Sequence, residues 1–115
     1  MIPAESLPRK PGNRDPHFLS GIRVIDLTTS LSGPYATMLL GDLGAEIIKI
    51  ERPKVGDDSR HWAPPTYAGQ ALWYLSVNRN KKSVTLDYSK DEGRDCLYDL
   101  IRKSDVLFTK QLGRV

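Results

Sequence analysis

Hydrophobic residues are concentrated in two short runs in the first half of the chain. Residues 22–27 read IRVIDL and residues 46–51 read EIIKIE, so both are rich in β-branched side chains. The first run is broken only once by an acid, Asp26, which is typical of a strand that is buried on both faces of a parallel sheet. We therefore predict a strand in each run.

Between the two runs, apolar side chains recur with the period of a helix: Tyr35, Met38, Leu39 and Leu43. Because these positions are three or four residues apart, they should share the face that is turned to the core. Pro34 suits the first helical position, and Gly44 suits a left-handed cap after the helix end. A helical connection this short predicts that the two strands are parallel neighbours.

The second half of the chain predicts three further elements. We expect a strand over residues 83–87, a helix over 91–103 and a last strand over 105–108. The helix should bury three apolar residues, Leu97, Leu100 and Ile101. The whole pattern predicts an α/β fold, namely a Rossmann-like parallel-sheet half-domain with three αβα layers, truncated and open at its sheet edges.

A loop rich in proline and aromatic residues precedes these elements. Pro64, Pro65 and Gly69 predict irregular structure up to about residue 70. Four aromatic residues lie in or just after the loop: Trp62, Tyr67, Trp73 and Tyr74. Their rings could stack on an adenine or seal the loop onto the sheet, and we favour sealing.

Composition narrows the classes of function. The 115 residues suit one small domain, and the net charge of +3 comes from mixed charges, so we expect no nucleic-acid partner. The apolar runs are too short to cross a bilayer, and we expect no membrane partner. Cys96 is the one cysteine. We expect it to be buried and inert in the last helix, in a reducing compartment.

Residues 1–18 contain four prolines and mixed charges. They predict a disordered lead-in with neither a secretion signal nor an amphipathic transit helix. We therefore take the cytoplasm as the default compartment.

Candidate chemistry follows the predicted strands, because open parallel sheets bind ligands beyond the carboxyl ends of their strands. After the first strand, backbone N–H groups around Ser32 and Gly33 offer an anion site at the helix start. After the second, a charged loop carries Arg52, which could grip a phosphate or a carboxylate. A generic strand-helix-strand unit with a solvated loop would show the same spacing. The chain lacks both the dinucleotide fingerprint and the phosphate-loop motif.

Residues 19–60 read LSGIRVIDLTTSLSGPYATMLLGDLGAEIIKIERPKVGDDSR, and residues 75–83 read LSVNRNKKS. These strings resemble the N-terminal part of class III CoA-transferases of the CaiB/BaiF type, most of all the succinyl-CoA:glutarate CoA-transferases. The resemblance implies a transferase that uses a CoA thioester and a small carboxylic acid, with a dicarboxylate as the acid. It implies no permanently bound cofactor and no metal. It also implies a homodimer, and mitochondria as the alternative compartment.

By resemblance, five positions match residues that contact CoA: Ser30, Leu31, Arg52, Leu86 and Ser89. Arg52 is the strongest of them, because it combines a guanidinium with a strand end. Lys54 and Arg60 lie in the same loop and are expected to be merely solvated. Asn78 and Lys81 match the N-x-N-K signature of the family, and they could either join the site or only build a turn.

In the resembled family, the last predicted strand is followed by a further CoA-binding run and, well downstream, by the aspartate that forms the acyl-anhydride and then the CoA thioester. Residues 110–115 diverge from this pattern. We expect residues 19–109 to be the family part of a truncated chain without that aspartate, and we assign no catalytic residue. Three hypotheses stay open. The chain is an enzyme fragment that is inactive alone, a non-catalytic CoA-binding or interaction module that docks on a full-length paralogue, or an unrelated α/β domain with a nucleotide site.

Overall fold

The computed structural model describes residues 17–110. The predicted lead-in and tail therefore lie outside the described residues, apart from residues 17, 18 and 110. The helices and strands are, in chain order, β1 (Arg23–Asp26), α1 (Ser32–Asp42), β2 (Glu46–Glu51), a 3-10 turn (Asp58–His61), β3 (Thr66–Tyr67), β4 (Gln70–Ala71), α2 (Leu72–Val77), β5 (Lys81–Thr85), α3 (Asp91–Arg102) and β6 (Val106–Phe108).

Four of the strands form one parallel sheet in the order β5-β2-β1-β6. In its register, Ile25 lies opposite Ile48 on one side and Leu107 on the other. The chain adds strands on one side of β1 as far as β5 and then places β6 on the other side. Sheets of this kind bind ligands beyond the carboxyl ends of their strands. The prediction of parallel strands is confirmed.

One face of the sheet is apolar and is covered by α3. Leu97 of α3 is fully buried against Ile25, Leu27 and Ile50. Leu100 and Ile101 pack around this cluster, as the helical pattern predicted. Cys96, in contrast, is exposed, so its predicted burial is wrong. The reason is geometric, because the residue before Leu97 projects about 100° further round the helix, away from the sheet.

The other face is covered by α1 and, at the strand ends, by α2. Val24, Ala45 and Ile47 form a second apolar cluster, on which Leu40 of α1 packs. The face of α1 that is turned to the sheet differs from the prediction, since Tyr35 and Leu39 are 51% and 42% exposed. The buried residues of the helix are Pro34, Thr37 and Met38. A polar contact orients the helix, because the Thr37 hydroxyl donates a 2.7 Å hydrogen bond to the buried Asp26 carboxylate.

The C-terminal end of α1 agrees with the prediction, and its N-terminal end does not. The helix begins at Ser32, two residues before the predicted start, and Leu31 caps it without a side-chain hydrogen bond. Gly44 has a φ of +100°, and its N–H donates to the Gly41 carbonyl at 3.0 Å. A Cβ at Gly44 would lie 2.7 Å from the Cα of His17. The predicted left-handed glycine cap is therefore confirmed.

The segment before β5 is more regular than predicted. Strands β3 and β4 pair as a small antiparallel hairpin, and α2 follows directly. Sequence periodicity missed α2 because six residues are too few to show a helical repeat. Trp62 and Trp73 meet edge to face with ring centroids 6.2 Å apart. These two residues and Tyr67 are nevertheless 41%, 45% and 71% exposed, so they do not seal the loop onto the sheet, whereas Tyr74 reaches Glu51 of β2 through its hydroxyl. Strand β5 begins at Lys81, two residues before its predicted start.

None of the helices formed by residues 17–110 has the length and the hydropathy needed to cross a bilayer.

Candidate functional site

A cavity of about 590 Å³ opens where β2 and β5 end. Its walls are residues 52–55, which follow β2, and residues 86–90, which follow β5. The cavity therefore brings together three of the positions predicted to contact CoA: Arg52, Leu86 and Ser89. The segments are joined at their base, because the Leu86 N–H donates to the Glu51 carbonyl at 2.9 Å.

Cationic side chains dominate the lining of this cavity. Arg52, Lys54 and Lys90 face a single carboxylate, Asp87. Asp87 is already engaged, since it accepts a 2.5 Å hydrogen bond from the Ser89 hydroxyl and lies 3.6 Å from the Lys90 ammonium. Such an excess of cations favours an anionic ligand such as a phosphate.

Arg52 is half exposed and has one anionic partner in the described part of the chain. Its Nη2 donates to Asp58 Oδ1 at 2.5 Å. Exposed pairs of this kind contribute little to stability, typically about 0 to 1 kcal/mol. The guanidinium can therefore exchange this partner for a ligand at small cost.

The start of α3 packs against Asp87, which belongs to this wall. Gly93 lies in the first turn of the helix, and a Cβ at this position would lie 2.0 Å from the backbone oxygen of Asp87. A side chain at Gly93 would therefore push the helix away from the segment that carries Ser89.

The first turn, residues 28–31, lies beside the cavity rather than in its wall. A smaller cavity of about 30 Å³ is lined by Thr29 together with Arg52 and Tyr88, which also line the larger cavity. Ser30 has a left-handed φ of +74°, and Leu31 is 45% exposed. Lys110, which follows β6, donates from its ammonium group to the Thr29 hydroxyl after β1 at 2.7 Å.

Beneath these loops, a buried ion pair joins the second strand to its own loop. The Lys49 ammonium lies 2.7 Å from Asp57 Oδ2, and both side chains are at most 1% exposed. Lys49 also donates to the Thr28 carbonyl at 2.8 Å, so it ties down the first turn. Burial alone would raise the pKa of Asp57, but hydrogen bonds from Lys49 and Ser59 outweigh burial and hold this pKa below its usual range.

Glu51 forms a second anchor for the loop. Its carboxylate accepts two hydrogen bonds from Arg60, both of 2.7 Å. It accepts three more, from the Tyr74 hydroxyl at 3.0 Å, the Ser83 hydroxyl at 2.7 Å and the Asp57 N–H at 3.0 Å. Burial opposes ionisation here as well, yet the hydrogen bonds lower the pKa of Glu51 to about 2. Arg60 is thus a structural residue, and the expectation that it is merely solvated is wrong.

Asp26 collects the third set of contacts, below α1. It accepts hydrogen bonds from the hydroxyls of Thr28 and Thr37 and from the Lys81 ammonium, at 2.5, 2.7 and 3.0 Å respectively. The pKa of Asp26 is lowered, because these hydrogen bonds outweigh the effect of burial. Lys81 also contacts the Asn78 side-chain oxygen at 2.9 Å. In the structure, the two signature residues Asn78 and Lys81 therefore build the scaffold and do not line the cavity at the strand ends.

The sequence contained a signal for this scaffold that periodicity alone did not use. Lys49 and Glu51 are two residues apart in one strand, so they had to face the same side of the sheet, and Asp26 alternates with apolar residues in the neighbouring strand. Opposite charges on adjacent strands could have been paired on that basis. Asp57 and Arg60 carried no such signal, because they lie in a loop.

The three buried carboxylates are arranged for structure rather than for attack. Asp26, Glu51 and Asp57 are buried, ionised and surrounded by donors, so their oxygens are not available to a substrate. Within residues 17–110, no group of three or more His, Cys, Asp or Glu side chains is placed to hold a metal ion. What the cavity offers is anion binding.

Comparison with known proteins gives a consistent result. The sequence model of CoA-transferase family III matches residues 19–112. Succinyl-CoA:glutarate CoA-transferase of Homo sapiens is 50% identical over 88 residues, which are 76% of this chain and 20% of that protein. The beta subunit of succinyl-CoA–L-malate CoA-transferase of Chloroflexus aurantiacus is 46% identical over 89 residues, which are 77% of this chain and 22% of the subunit.

A solved structure agrees with the sequence matches. The crystal structure of a CAIB/BAIF family protein from Brucella suis superposes with a TM-score of 0.72 at 40% identity, covering 77% of this chain and 24% of that one. The chain thus spans between a fifth and a quarter of the length of these relatives.

Proposed function

Because the chain belongs to CoA-transferase family III, we propose that it is the N-terminal part of an enzyme that transfers CoA between an acyl-CoA and a carboxylic acid. We propose a dicarboxylate as the acid, since the similar proteins named above act on succinyl-CoA with glutarate or L-malate. We also propose that the complete enzyme is a homodimer. For the compartment we propose the cytoplasm, because the exposed free thiol of Cys96 fits a reducing environment, with mitochondria as the alternative.

In this proposal, the described residues bind CoA and do not attack the acyl group. One observation carries it, namely the cavity that joins Arg52, Leu86 and Ser89 under an excess of positive charge. A phosphate of CoA would replace Asp58 on the Arg52 guanidinium. Ser30 and Leu31 would contact CoA from the first turn, because Thr29 of this turn lines a smaller neighbouring cavity that shares Arg52 and Tyr88 with the larger one. The buried carboxylates hold these loops in place, and the nucleophile is a residue outside the described range.

Titration of CoA into the full chain, at low and at moderate salt, tests this function. Charge-assisted hydrogen bonds contribute about 1.5 to 3 kcal/mol each, so Arg52→Ala should weaken binding about tenfold to a hundredfold. Arg52→Lys should restore part of the loss, because it keeps the charge but not the planar fork. Lys54→Ala removes a second cation of the same cavity wall and should cost less affinity than Arg52→Ala, because an ammonium lacks the planar fork of the guanidinium. Arg60 cannot serve as a control, because it is bound to Glu51.

Two results would contradict the proposal. The first is a chain that does not bind CoA. The second is an equal loss of affinity in Arg52→Ala and Lys54→Ala that disappears as the salt concentration rises, since this would indicate diffuse attraction to a basic surface.

A further inference from the structure

Ser30 has an unusual backbone that a second loop supports. Its φ of +74° lies in the left-handed region, which residues other than glycine rarely adopt. The Ser30 N–H donates a 3.2 Å hydrogen bond to Asp57 Oδ1, although the two residues are 27 positions apart. The conformation of the first turn is thus tied to the loop after β2.

Asp57 is well placed to hold this turn, because it is itself fixed. Its side chain is fully buried, and the Lys49 ammonium lies 2.7 Å from its other oxygen. The N–H and the hydroxyl of Ser59 donate to Oδ1 at 2.9 and 2.7 Å. An acceptor held by so many contacts moves little, so it fixes the position of the N–H that it binds.

Asp57 also belongs to the segment that carries Arg52. Its N–H donates to Glu51 Oε2 at 3.0 Å, so both ends of the loop that begins at Arg52 meet at Glu51. The next residue, Asp58, is the partner of Arg52. A single buried residue therefore contacts the first turn and sets the geometry of the Arg52 loop.

We propose that Asp57 is a positioning residue for CoA binding, which holds the first turn in its left-handed conformation and fixes this turn against the Arg52 loop. The inference rests on the function proposed above. Asp57 itself does not touch the ligand. Without it, the two segments would have to be ordered at the moment of binding, and affinity would fall.

A double-mutant cycle between residues 57 and 30 tests the inference. The background is Lys49→Met/Asp57→Ala, which removes both partners of the buried pair and leaves no buried charge unpaired. In the full chain, this background should weaken CoA binding about tenfold. Adding Ser30→Gly should then recover affinity, since glycine adopts positive φ without support. The ratio of affinities with and without Ser30→Gly should be at least about threefold higher in this background than in the unaltered chain. The measurement is a CoA titration of the four proteins.

Lys81→Met is the matched control. It removes a buried cation from the same sheet face, but it has no hydrogen bond to Ser30 or Asp57. It should lower stability without making Ser30→Gly more favourable for CoA binding. A merely structural role of Asp57 predicts the same behaviour for both backgrounds. Lys49→Met alone removes the hydrogen bond to the Thr28 carbonyl but keeps Asp57, so it should make Ser30→Gly less favourable than the double background does.

Three results would overturn the inference. They are an unchanged affinity in the Lys49→Met/Asp57→Ala background, an equal effect of Ser30→Gly in both backgrounds, and, in the unaltered chain, a Ser30 amide that exchanges its hydrogen as fast as an unstructured peptide. The last measurement applies even if the paired variant fails to fold. Binding that depends on Arg52 but not on Asp57 refutes this inference alone, whereas a chain that does not bind CoA refutes the proposed function as well.

Discussion

The two faces of the sheet are built from alternate residues of the same strands, yet one is apolar and the other is charged. The face under α3 buries Ile25, Leu27 and Ile50 and has no charge in its cluster. The face under α1 and α2 buries three of the charged residues that alternate with them: Asp26, Lys49 and Glu51. The apolar face stabilises the fold by hydrophobic burial, which does not require a particular orientation of the side chains. The charged face supplies directional contacts, and these reach the loops at the strand ends.

This difference shows which side chains stabilise the fold and which ones determine the geometry of the candidate site. Burying an ion pair is expensive, and an apolar replacement of similar volume is often as stable. The charged residues do something that apolar ones cannot, because hydrogen bonds fix the loops of residues 28–31 and 52–60 in one arrangement. Three experiments can break or sharpen this contrast.

Lys49→Met should have the largest effect. It leaves Asp57 buried without its cation, and breaking a buried pair in this way costs about 3 to 5 kcal/mol of unfolding free energy. Urea denaturation of the full chain measures the loss. The double variant Lys49→Met/Asp57→Ala should lose less than the single one, and the opposite order would mean that the ion pair does not dominate at this site.

Leu97→Ala on the apolar face should lower the unfolding free energy by about 3 kcal/mol, because it leaves a cavity under α3. The CoA affinity of the folded protein should fall less than in Lys49→Met/Asp57→Ala, because the cluster of Leu97 meets the cavity wall only through the apolar side chains of Leu86 and Tyr88. Denaturation and CoA titration of the same samples give both values. If the affinity falls as much as in the double variant, the division of labour between the faces is refuted.

The two faces also differ in how much of them the sequence could predict. The two central strands, their parallel pairing and the buried stripe of α3 follow from β-branched runs and helical periodicity, and the structure confirms them, whereas β5 lies two residues before its predicted range. The orientation of α1 could not be predicted in this way, because a hydrogen bond from Thr37 to Asp26 outweighs the exposure of Tyr35 and Leu39. Periodicity depends only on the positions of apolar side chains, so it does not detect a hydrogen bond between two buried polar residues.

The same limit applies to the candidate site. Arg52, Leu86 and Ser89 were placed by resemblance, and the structure brings them to one cavity. The residues that hold this cavity in shape, Asp57 and Arg60, lie in an irregular loop whose path no local pattern encodes. Their roles depend on contacts between segments that are distant in the sequence.

Acid should destabilise the charged face selectively. The pKa of Glu51 is about 2 in the folded protein, below the usual value of 4.5, so its stabilising effect is complete above pH 4.5 and is lost as the pH falls towards 2. The contribution is about 3 kcal/mol. Unfolding free energy measured between pH 6 and pH 2 should fall in the unaltered chain and in Leu97→Ala with the same slope, and this slope should be shallower in Glu51→Gln. An unchanged slope in Glu51→Gln would assign the acid sensitivity to other carboxylates.

Because both side chains of the Lys49–Asp57 pair are buried, the pair restricts how this sequence can diverge. A change at either residue alone passes through an intermediate with an orphaned charge, whereas a joint replacement does not. The two positions are therefore linked by epistasis, and the order in which substitutions arise decides which lineages survive. Homologous sequences should keep both residues or exchange both together, while positions such as Cys96, on the outer side of α3, should drift independently.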